Sequence, residues 1–415
     1  MTPIKIKRVF IIGALVLSIF ALTACSLFTT LSSTVSNILR LATPTPMDPV
    51  AMVAAIPDDE IIAGIQDTVN TYARAYNNND LELLQSITDA ENLPFKRLVS
   101  NRFTDFQKSI YAGQYTYYFD VDSILRMPLG FVQAHLLTDG TTAHDWLFRL
   151  VNGKWLLSEP TEAQFGQPTK KETDHFTYLL YPWNDAMNEE IMALMENAAN
   201  KVKEVLGALP AEKADVEILP GYSADPFADP NSLAYFQAGG NGEPDKMVIF
   251  SPNSFSFGWY DEETGWQPDL EATLVHEYTH MTHLRAFDKA GKLLDWFSEG
   301  LAEFVSGSQR YYEIQDALEP DQLIPIVDKT VTINQQDLGH IYLLDSNISL
   351  AYAEAESLIM FINEKYGGID GVWAFARAHD EYQDYDEALM ATFNIDYATF
   401  DQQWRDWLKN ELFAK

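Results

Sequence analysis

Residues 276 to 283 read HEYTHMTH and hold three of the chain's eight histidines. His276 and His280 are four apart, the separation that stacks two side chains on one face of a helix. Two imidazoles presented side by side suit a divalent ion, and zinc accepts their nitrogens readily. Glu277 lies one step round the helix, within reach of a water on such an ion but badly placed to ligate it. The chain has a single cysteine, so a thiolate cluster is excluded and any metal must be held by histidine and carboxylate. An HExxH pattern also arises by chance, its histidines merely packing, so the residues around it must decide.

DWFSEGLAEF, 295 to 304, supplies Glu299 after eighteen intervening residues and Glu303 one helical turn later. This spacing resembles the gluzincin metallopeptidases. The resemblance implies that His276, His280 and Glu299 bind zinc, that Glu277 is the general base, and that Glu303 orients a ligand histidine through its second ring nitrogen. Asp295 is the alternative third ligand. The metzincin pattern HExxHxxGxxH fails, because His283 and Ala286 stand where it needs glycine and histidine. His283 is read as a helix-surface or substrate-side histidine rather than a ligand. Two neutral imidazoles and one carboxylate leave zinc a net positive charge and an open position, so a bound water is acidified to a pKa of about 7. The oxyanion formed on peptide hydrolysis then needs a second donor. In SLAYAEAESLIMFINEKYGG, 349 to 368, Tyr352 matches the tyrosine of the helix that follows the zinc site in peptidase MA-like proteins and gluzincin aminopeptidases. The alternative is a tyrosine whose ring merely packs. Glu354 and Ala355 replace the lysine and glycine of the aminopeptidase stretch, and no GAMEN-type segment is present, so an endopeptidase is favoured. His340 and Tyr342 are reserve donors.

The elements that must position these groups follow from periodicity. LEATLVHEYTHMTHL puts Leu270, Leu274, Tyr278, Met281 and Leu284 on the buried face of a helix. Before it come a strand HFTYLLYP, a long helix with apolar positions near Met187, Ile191, Met195, Ala198, Val202 and Val205, a strand DVEILPG, a long loop, and a strand KMVIFSP. KMVIFSPNSFSFG is expected to be the sheet edge that pairs with an extended substrate. QAGGNGEPD lacks the strand-then-helix context of a phosphate loop and reads as a turn. Beyond Leu270 the period is helical. Residues 175–415 therefore read as a mostly helical, zincin-like domain with a small sheet, and their layout looks like the peptidase MA-like family.

Residues 58–166 read as a separate α+β unit. Ile61, Ile65, Val69, Tyr72 and Tyr76 mark a helix, a second begins at Leu81 and a third spans Phe95 to Tyr111. Alternating segments then lead through an Asn152-Gly153 turn. Helices followed by an antiparallel meander resemble the cone-shaped nuclear-transport-factor-like (SnoaL-like) fold. Trp146, Trp155 and His144 are read as core or rim, and no acid/base pair stands out. GQPTKKETD, 166 to 174, reads as a connector.

The N-terminus carries Lys5, Lys7 and Arg8 ahead of sixteen apolar residues, Val9 to Ala24, short of the ~20 a spanning helix needs. Leu22-Thr23-Ala24-Cys25 resembles the bacterial lipobox, which implies a signal peptide over 1–24, lipid on Cys25 and an extracytoplasmic, membrane-anchored protein. Residues 25–57, rich in Ser, Thr and Pro, read as a tether reaching on the order of 30 Å. A net charge of −32 repels phosphate backbones, so nucleic acid is not an expected partner. The expected partners are a peptide or protein substrate and, through lipid, the membrane. Two other readings remain: a catalytically silent zinc-containing receptor, and a carboxylate-based sugar hydrolase that no motif supports. No GxSxG serves a serine hydrolase.

Overall fold

The computed structural model of the chain describes residues 48–108, 112–114, 116–207, 209–221, 232–239, 245–287, 295–318, 323, 332–333, 336–337 and 348–414. The leader, Cys25 and the chain to residue 47 lie outside the described residues, as do His340 and Tyr342. Residues 1–55 form one unit, described only from residue 48, where the helix Pro49–Ala54 lies inside the stretch read as tether. Proline at its first position and Asp48, which accepts the N–H of Val50, make that start. Among the described residues no helix is long and apolar enough to cross a membrane.

Residues 56–415 form the second unit, and it mixes helix and sheet as an α+β fold. Helix α1 (Asp58–Asn78) opens on three acids that complement its dipole and buries Ile61, Ile65, Val69, Tyr72 and Tyr76. It stops at Asn79, whose φ of 54° is left-handed. Helices α2 (Leu81–Ser86) and α3 (Leu93–Lys108) follow, capped by Asp80 and Asn92 through the N–H groups of Leu83 and Phe95. Strands β1 (Asp120–Arg126), β2 (Phe131–Thr138), β3 (Thr142–Val151) and β4 (Lys154–Leu157) then make an antiparallel meander. Its last hairpin turns through Asn152 and Gly153, both at positive φ as a two-residue turn demands.

The second sheet runs in the order β5-β6-β7-β9-β8. Strand β5 (Thr169–Glu172), inside the expected connector, lies antiparallel to β6 (Phe176–Leu180). Strands β6, β7 (Ala214–Leu219) and β9 (Lys246–Phe250) are parallel, with helix α4 (Asp185–Leu206) crossing between the first two. The edge expected at KMVIF is therefore corrected: β9 is interior, between β7 and β8 (Ala234–Gln237). Four consecutive buried residues, Met247 to Phe250, are what an interior parallel strand requires. The edge strand β8 lay in the expected loop, since four residues carry too little alternation to announce a strand.

Two features tie the meander to the later chain. Strand β10 (Tyr260–Asp261) pairs with Ala143 and Thr142 of β3. Phe255, buried, seats its ring 5.1 Å from that of Trp146, 5.6 Å from Phe95 and 6.4 Å from Tyr72. Arg102 donates to its carbonyl (2.7 Å) and lies over its ring, while Glu159 accepts its N–H (2.6 Å). The interior of the meander is thus filled by a side chain from beyond residue 175.

Candidate metal centre

Helix α5 (Gln267–Ala286) carries the histidine pair. Leu270, Leu274, Tyr278 and Met281 are buried as the pattern requires, and Tyr278 meets Phe176 of β6 edge-on at 5.1 Å. Helix α6 (Asp295–Ser306) brings Glu299 and Glu303 and is seated by Trp296, Phe297, Leu301, Ala302 and Val305. Asp295 is its first residue, one turn before Glu299. Helix α7 (Ile348–Lys365) crosses α6 at Gly300. A Cβ there would overlap the carbonyl oxygen of Ala355 and stand 3.1 Å from Ile359 Cγ1, so only glycine lets the backbones come this close.

The three predicted ligands converge. His276 Nε2 and His280 Nε2 are 3.1 Å apart, and Glu299 Oε2 lies 3.3 Å from the first and 3.4 Å from the second. A tetrahedral ion with ligands at 2.0–2.1 Å places them about 3.3 Å from one another. The triangle therefore fits such an ion without rearrangement, and among the described residues it is the one His/carboxylate group that does. Burial opposes charge on Glu299, but hydrogen bonds and charge from His276 and His280 outweigh it and hold the carboxyl well below its usual range. Burial likewise disfavours the His280 cation, and Glu299 reverses that, moving His280 up.

Both histidines have a polar neighbour at their other nitrogen. His276 Nδ1 lies 3.4 Å from Glu303 Oε1. His280 Nδ1 lies 2.9 Å from Ser298 Oγ, a partner the sequence reading did not name. Such contacts fix the tautomer and aim the ring. Glu277 accepts the backbone N–H of Phe236, in β8, at 2.8 Å, so one carboxylate oxygen is anchored to the sheet edge beside the site. Its charge acts on both His280 and Tyr352.

Tyr352 is brought to the site. Its phenol is pushed up by burial and then by the charges of Glu299, Glu303 and Glu277, against Arg310, so it remains a proton donor at neutral pH. Arg310 Cζ lies 5.3 Å from the centre of its ring, and Arg310 Nε lies 3.2 Å from Glu303 Oε2. Arg310 was not foreseen.

His283 differs from expectation. It is buried, with Phe297 and Phe287 at ring distances of 6.0 and 6.4 Å, and among the described residues neither ring nitrogen has a hydrogen-bond partner. Desolvation, with a smaller push from His280, takes it down to about 3. It is an interior residue rather than a surface one. Trp146 and Trp155 are core residues, and His144 is driven down to about 4 by burial. The meander also holds a titratable cluster that the sequence did not reveal. His135 lies 3.0 Å from Asp145 and 3.0 Å from Glu262, and Tyr260 donates to Asp145 at 2.6 Å.

No family model matches the chain, and no curated protein matches it.

Proposed function

We propose that the chain is a zinc metallopeptidase of the gluzincin type, an endopeptidase, held outside the cytoplasm by lipid on Cys25. The observation that carries this reading is the triangle of His276, His280 and Glu299, with edges matching a tetrahedral ion. When bound, zinc supplies Lewis acidity, lowering the pKa of water to about 7 and polarising a carbonyl. Glu277, one oxygen anchored by Phe236, takes up the water proton on its carboxylate and delivers it to the leaving amine. Tyr352, kept protonated, donates to the oxyanion that develops as the carbonyl becomes tetrahedral. Glu303 and Ser298 keep the two imidazoles aimed and in the ligating tautomer.

Strand β8 supports the endopeptidase choice. Leu233 accepts from Phe250, so the positions that face away from β9 are Ala234 and Phe236, and Phe236 N–H already points to Glu277. Among the described residues β8 has no second neighbour, so an extended peptide can align along it beside the metal ligands. The meander of residues 58–166, read as SnoaL-like, is then a scaffold whose interior holds Phe255 rather than a ligand.

The test pairs metal analysis with digestion of a mixed peptide library, using the parent and Glu277→Gln. The parent should carry one zinc and cut within peptides, and Glu277→Gln should keep the zinc and lose about 10²–10⁴-fold in rate. Zinc in both proteins with no cleavage by either would replace this reading with the silent receptor.

A further inference from the structure

The turn that follows α6 reaches the site from outside the metal triad. Gln309 adopts a left-handed backbone, φ 59°, which is unfavourable for a residue other than glycine, so its neighbours must hold it there. Glu356 on α7, one turn past Tyr352, does so. Its two carboxylate oxygens accept the backbone N–H groups of Gln309 (3.2 Å) and Tyr311 (2.9 Å). Arg310 stands between the two clamped amides.

Its guanidinium meets two parts of the site at once. Nε pairs with Glu303, whose other oxygen faces His276 Nδ1, and the planar group lies over the ring of Tyr352. Glu303 is buried, and without the guanidinium on its second oxygen its carboxylate is free to turn away from His276. On the reading of the site given above, we propose that Arg310 is a positioning residue that fixes His276 through Glu303 and sets the ring of Tyr352, with Glu356 as the clamp that presents it.

Lysine separates the two duties, because an ammonium can pair with Glu303 but cannot lie flat on a phenol ring. Zinc affinity by chelator competition, the visible spectrum of the cobalt-substituted protein, and kcat and KM are measured for the parent, Arg310→Met, Arg310→Lys and Glu356→Gln. In Arg310→Met, zinc affinity should fall about tenfold, the cobalt bands should shift, and kcat should drop with KM nearly unchanged. Arg310→Lys should restore affinity to within about twofold of the parent while kcat stays low. Glu356→Gln, which can accept only one of the two amides, should move affinity in the same direction by less. An Arg310→Met protein with the parent's affinity and cobalt spectrum would overturn the proposal, and recovery of kcat in Arg310→Lys would overturn its Tyr352 half. A parent that takes up no zinc would sink the site reading itself. If the parent binds zinc but cuts nothing, affinity and spectrum still decide the role of Arg310.

Discussion

A buried imidazole with two unsatisfied nitrogens is an energetic liability, and His283 is one, a single turn from His280. Its folded pKa of about 3 lies below the roughly 6.5 of the unfolded chain, so the unfolded state binds the extra proton between those values. Stability from keeping it neutral is complete above pH 6.5 and is lost as pH falls toward 3. Replacing it with leucine should remove that loss. In chelator-treated protein, His283→Leu should exceed the parent by about 2 kcal/mol more at pH 5 than at pH 7.5 in urea titrations. Equal differences at both pH values would show that His283 has a proton partner when folded. The same residue marks where sequence reading stops at this scale. His276, His280 and Glu303 were legible because helical spacing is local and their chemistry is repeated along the chain. Ser298, Arg310 and the Phe236 amide act across elements, and nothing in their own neighbourhoods announces it.

Among elements, the crossing of α6 over α7 decides whether Glu299 reaches the histidines. Alanine at position 300 would gain about 1 kcal/mol of helix propensity over glycine. The overlap of its Cβ with the Ala355 carbonyl costs more, about 1–3 kcal/mol for forced overpacking against backbone that cannot rotate away. Gly300→Ala should therefore be destabilised, and its zinc affinity should fall as α6 is displaced. A variant that gains stability with unchanged affinity would mean the helices part freely. Long helices such as α1, α4 and α5 were readable because their apolar stripes run for four turns or more. Strands β5, β8 and β10 were not, since two to four residues pair only where a partner strand already stands.

At the scale of the whole second unit, the segment between β9 and α5 makes the meander and the half that carries His276, His280 and Glu299 depend on each other. Phe255 fills the aromatic interior, and the pairing of β10 with β3 is reinforced at His135, whose hydrogen bond to Asp145, helped by Glu262, raises it to about 9. That folded value exceeds the unfolded one of roughly 6.5, so this contribution is present in full below pH 6.5 and fades as pH climbs through 9. The anchoring at Phe255 rests on apolar burial, on the Glu159 carboxylate that accepts its N–H and on Arg102, which donates to its carbonyl. Phe255→Ala should cost about 3–5 kcal/mol, because the void would lie among Phe95, Tyr72 and Trp146, which are themselves fixed by packing. Urea unfolding followed by tryptophan fluorescence and by zinc release should give one transition in the parent. In the variant, the part of the fluorescence change that comes from Trp146 and Trp155 should precede zinc release, because the meander loses its filling while α5 and α6 keep theirs. Coincident transitions in Phe255→Ala, with a loss under about 1 kcal/mol, would show that the two halves hold together through the sheet alone.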